Sequence, residues 1–75
     1  MPLIQVKLIE GAFSQAQKRE VIQKFTDTMA SIEGKSMRPA NFVKVEEVKS
    51  GEWGIGGQAM TTADVKALAA GKSKG

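Results

Sequence analysis

Cysteine, histidine and tyrosine are all missing from this 75-residue chain, and aromatic residues make up only 5% of it. Without cysteine there are no disulfides, and without cysteine and histidine the usual zinc sites are excluded. A Ser–His–Asp triad, a Cys–His pair and a phenolic acid are excluded on the same grounds. The acid–base groups that remain are carboxylates, lysines and an amino terminus. No apolar run approaches the roughly 20 residues that span a bilayer, so no membrane partner is expected. Met1–Glu10 lacks the basic segment and small-residue cleavage site of a secretory signal. Together with the absence of cysteine, this sets the expectation of a cytoplasmic protein.

The net charge is +3 and the isoelectric point is near 9.5. Lysine and arginine are scattered, and part of the excess lies in the terminal Lys72–Ser73–Lys74. No basic stripe interleaves with aromatics, so the charge reads as a solvated surface and nucleic acid is not an expected partner. A chain of this length suits one domain, residues 1–75. Small domains of roughly 60 residues bury only about 60% of their unfolded surface and need a staple. With disulfides and metals gone, association with other copies is the staple left.

Leu3–Glu10 alternates, with Ile4, Val6 and Leu8 on one face and Leu3, Gln5, Lys7 and Ile9 on the other. This predicts a strand ended by Gly11. Ser14 reads as a helix N-cap, with Gln17 three residues on as in a capping box. Val21, Ile22, Phe25, Met29 and Ile32 then recur at helical spacing. They predict an amphipathic helix of about five turns whose stripe is core, stopped by Gly34. Pro39 biases Arg38 toward an extended backbone. A second strand is expected from about Phe42 to Val48, with Val43 and Val45 as its apolar pair.

Strand, helix, strand is a βαβ unit with parallel strands and a right-handed crossover. Gly51–Gly57 holds four glycines and spaces Trp53 and Ile55 between them. It lacks the spacings of phosphate-binding loops and predicts a short hairpin. Thr61 or Thr62 caps a short last helix with Val65, Leu68 and Ala69 on one side, and Gly71–Gly75 reads as a disordered tail. The fold class is therefore α+β. Two strands under one helix leave a sheet face, carrying Leu3 and Ile9, to be covered by another chain, and both sheet edges open to pairing.

Pro2 is the chemically distinctive residue. Inside a chain its nitrogen is a tertiary amide, but loss of Met1 would expose a secondary amine able to take up or give a proton. Burial and nearby cations would lower its pKa from the ordinary α-amino value of about 8 toward neutrality. The start Met1-Pro2-Leu3-Ile4-Gln5-Val6, Glu10-Gly11, the Ser14-capped helix with Gln17-Lys18-Arg19-Glu20, and Trp53-Gly54-Ile55-Gly56-Gly57 together resemble the 4-oxalocrotonate tautomerase family. The resemblance covers about residues 2–60.

It implies a βαβ unit with a C-terminal hairpin, assembled as a dimer or a trimer of dimers. The implied chemistry is enol–keto proton transfer on a small-molecule substrate, without metal or organic cofactor. Pro2 would be the base, with Trp53, Phe42, Ile9 and Arg38 around the substrate and Trp53 supplied by a neighbouring subunit. Where the family carries two substrate-binding arginines, this sequence has Ala12 and Phe42. A carboxylate clamp is thereby lost, and Phe42 and Trp53 imply a more apolar, aromatic-accepting pocket. Arg38 or Lys44 could supply a cation instead, but each reads first as a solvent-facing or interface charge. Glu46–Glu47 offers a carboxylate pair at the strand's end, for which a sheet-edge or intersubunit salt bridge is the more ordinary reading. The competing class is a member whose catalysis has drifted, serving as a small-molecule-binding or structural oligomer.

Overall fold

A computed structural model describes residues 2–71; Met1 and residues 72–75 lie outside the described residues, and with them the removal of Met1 and nearly all of the expected tail. The alternating segment forms strand β1 (Leu3–Ile9), with Ile4, Val6 and Leu8 half-buried and Leu3, Gln5 and Lys7 exposed. Helix α1 (Gln15–Glu33) starts at a complete capping box. The Ser14 hydroxyl accepts the Gln17 N–H at 3.1 Å, and the Gln17 side chain accepts the Ser14 N–H at 2.9 Å. The helix stops at Gly34, whose N–H donates to the Ala30 carbonyl at 2.9 Å.

The next segment differs from expectation. Lys35–Ala40 forms a 3-10 helix that contains both Arg38 and Pro39. Proline's fixed φ near −65° suits a 3-10 turn as well as an extended chain. The turn closes through Met37 N–H to Gly34 and Asn41 N–H to Arg38, so Pro39 leaves no donor unpaired.

Strand β2 (Phe42–Val48) pairs with β1 in parallel, from Leu3 opposite Phe42 to Ile9 opposite Val48. Strands β3 (Trp53–Ile55) and β4 (Gln58–Met60) form a separate antiparallel hairpin. Gly56 and Gly57 turn it, both at positive φ, as a two-residue hairpin loop requires. Helix α2 (Thr62–Ala69) is capped by Thr61, which exchanges bonds with Asp64.

Only Ile9 (4% exposed) and Ala30 (5%) are buried apolar residues among those described. This corrects two expectations. First, the α1 stripe is not core within the chain: Ile22, Phe25 and Ile32 stay exposed, Ile32 at 75%. Two strands about 4.8 Å apart are too narrow to cover the stripe of a 19-residue helix. Of the expected stripe, Val21 and Met29 are half-buried, and Ala30 beside Met29 is the buried residue of the helix. Second, Ile9 needs no other chain to cover it, because β3 and α2 fold back over that end of β1.

Leu3 remains open at the other end. The chain exposes 5545 Å², about 1,100 Å² more than the roughly 4,450 Å² of a folded monomer of its mass. Its radius of gyration is 15.2 Å, against about 11 Å for a compact chain of this length.

Candidate active site

The residues singled out by sequence fall at the two ends of β1. At its start, half-buried Pro2 accepts the Phe42 N–H on its carbonyl at 3.1 Å. Parallel pairing dictates this contact, since it aligns the beginnings of β1 and β2. Phe42 is half exposed beside it. Asn41, just before Phe42, encloses both polar atoms of its carboxamide without a partner among the described residues, and Glu33 Oε1 at the end of α1 is in the same condition. Leaving such groups unpaired is costly and uncommon. The sequence gives no hint of it, because an asparagine after Pro39-Ala40 reads as a turn residue.

At the other end, Leu8, Ile9, Ala12, Phe13, Trp53 and Val65 line a pocket of about 240 Å³, with Lys7 completing its wall. A cross-linked set of loops holds this end together. The Glu10 carboxylate accepts the Ser50 N–H at 2.9 Å, and the Ser50 hydroxyl accepts the Thr62 N–H at 2.9 Å. The Thr62 hydroxyl donates back to the Glu10 carbonyl at 2.6 Å. Gly11 turns the chain at φ +75°, and a Cβ there would lie 3.2 Å from the Thr62 methyl. Ala12 and Phe13 then reach the pocket from this turn.

The carboxylates of Glu46 and Glu47 do not act as a pair. Neighbours on a strand face opposite ways, and Glu46 meets Lys44 at 3.5 Å while Glu47 meets Lys18 at 2.9 Å. The Lys18 hydrogen bond, and after it the Gly11 N–H, hold the Glu47 carboxyl below its ordinary pKa. Arg38 is ion-paired with Asp27 and lines a separate pocket with Ala30, Ser31 and Lys35. No cluster of three or more His, Cys, Asp or Glu is placed to hold a metal among the described residues. No helix among them is long and apolar enough to cross a membrane.

Pro2 and Phe42 thus stand together, and so do Ile9, Ala12 and Trp53. The length of β1, about 20 Å for seven extended residues, lies between the two groups.

A parallel βαβ pair, closed by a glycine-turned hairpin and a short helix, with Pro2 just ahead of its first strand, defines a small tautomerase-like α+β protein. Residues 2–63 match the family model described as tautomerase enzyme, and the chain belongs to that family. A protein of Dickeya dadantii strain 3937 described as "Probable tautomerase K2" is 31% identical over 62 residues, covering 81% of this chain and 90% of that protein. The fold is similar to the crystal structure of an apo unfused 4-OT, at 33% identity and TM-score 0.71 over 79% of this chain and 93% of that one. It is also similar to DmpI from Helicobacter pylori, at 28% identity and TM-score 0.67 over 77% and 94%. The resemblance carried by the Pro2 strand and the glycine hairpin is therefore real, and the chain is a tautomerase-like isomerase.

Proposed function

We propose that the protein is a cofactor-independent isomerase that moves a proton between the enol oxygen and a carbon of a small 2-oxo or 2-hydroxydienoate acid. Pro2, freed by removal of Met1, is the general base. Its neutral amine takes the proton from the enol hydroxyl as the C=O forms. The resulting ammonium returns a proton to the carbon at which the C=C electrons collect. What supports this reading is the half-buried position of Pro2 at the head of β1 in a chain of the tautomerase family. Burial beside Phe42 would favour the neutral amine, the form a base needs near physiological pH.

The reading requires a homo-oligomer, a dimer or a trimer of dimers. The free edge of β1 can pair antiparallel with β1 of a second copy. A two-fold pairing over Leu3–Ile9 sets Leu3 opposite the partner's Ile9, and so brings Pro2 and Phe42 to the partner's Trp53 end. Trp53, Ile9 and Phe42 then form the apolar walls. Arg38 is already committed to Asp27, so it would serve substrate only by giving up that pair.

The test is ketonisation of phenylenolpyruvate by protein whose amino terminus has been read by mass spectrometry. Replacing Pro2→Ala should lower kcat/KM by roughly a hundredfold or more, the usual worth of a general base. Equal rates from the two proteins, or activity from chains that all keep Met1, would end the assignment.

A further inference from the structure

We infer that Lys7 binds the carboxylate of the substrate, and that the pocket between Ile9 and Trp53 takes a flat, aryl-sized monocarboxylate. The inference rests on the reading above and deepens it: it names the cation that stands where this chain lacks an arginine clamp.

The argument is by position and by charge. Six of the seven residues around the pocket are apolar, and Lys7 is the only one that carries charge. A pocket of about 240 Å³ is of a size to take one aromatic ring with a short side chain. Trp53 and Phe13 bring aromatic side chains to its wall. An apolar pocket with a single cation on its wall is the arrangement that orients an amphipathic anion.

Three other cations near the sheet are already paired. Lys18 pairs with Glu47, Lys44 with Glu46, and Arg38 with Asp27. No ion pair among the described residues engages Lys7. Its register partner across the sheet is Glu46, whose carboxylate is shared with Lys44, so the Lys7–Lys44–Glu46 group keeps one net positive charge. Lys7 lies two residues from buried Ile9 on the same sheet face. In the two-fold pairing proposed above, that is the end to which the partner subunit brings its Pro2.

Trp53 is the only tryptophan, so its fluorescence reports on the pocket without any turnover. The parent protein is titrated with trans-cinnamate and with its uncharged methyl ester. The acid should bind saturably and at least about tenfold more tightly than the ester, the worth of one charge-assisted hydrogen bond. Lys7→Gln should erase that preference, and Lys7→Arg should keep it. Equal binding of acid and ester by the parent, an undiminished preference in Lys7→Gln, or no Trp53 response would overturn the inference. Because binding is read apart from catalysis, a Pro2→Ala enzyme with full activity would sink the base while leaving a Lys7-dependent acid preference standing.

Discussion

Gly11 and Glu47 are joined by a hydrogen bond of 3.3 Å, and each makes a separate prediction. An alanine at Gly11 would have to hold φ near +75° with its methyl 3.2 Å from Thr62. Left-handed backbone costs an L-residue roughly 1–2 kcal/mol, and the crowding adds to it. Gly11→Ala should therefore lower the urea midpoint with an unchanged slope, the mark of lost stability rather than altered compactness. For Glu47 the sign follows from the direction of its shift. Its folded pKa is depressed by Lys18 and the Gly11 N–H, so the stability it contributes is present above the unfolded carboxylate pKa. That contribution is lost as pH falls through the folded value. Glu47→Gln should melt below the parent at neutral pH, and the two melting curves should converge in acid.

At the scale of elements, the ends of the helices do much to set the architecture. Both helices begin with reciprocal capping boxes, Ser14 with Gln17 and Thr61 with Asp64. Ser14→Ala should cost about 1 kcal/mol, read as a lower Tm by circular dichroism. Hydrophobic periodicity, caps and glycine positions were legible in the chain because each acts over three or four residues. Hence β1, α1, β2 and the hairpin fall where the pattern puts them. The 3-10 helix at Lys35–Ala40 was not legible, since proline's φ is common to both conformations and the choice rests on how α1 hands over to β2. Ala30 was missed for a related reason. A small residue carries almost no hydrophobic signal, and its burial comes from the angle at which the helix lies on two strands.

For the molecule as a whole, the apolar side chains left open on α1 (Ile22, Phe25 and Ile32) and on the sheet are what a second copy would cover. Leu3 and Phe42, in register on one sheet face, are 57% and 52% exposed. If association stabilises the fold, Tm should rise with protein concentration. Leu3→Asp should weaken that dependence and lower the mass found by sedimentation equilibrium. A Tm independent of concentration, together with a monomer mass for the parent, would contradict an assembled site.

The sequence by itself determined the order of elements, the parallel pair, the hairpin and the family, because all of these follow from local periodicity, capping and a short run of glycines. It also singled out Pro2, because its place next to Met1 is a property of the chain alone. Only the tertiary structure decided which residues share a site. Parallel pairing sets Pro2 beside Phe42, while the Glu10–Ser50–Thr62 links draw Trp53 and Ile9 together at the opposite end of β1, with Lys7 on the wall. Those contacts join residues up to 52 positions apart. No local pattern encodes them, because hydrogen bonds and packing across such separations exist only once the chain has closed on itself.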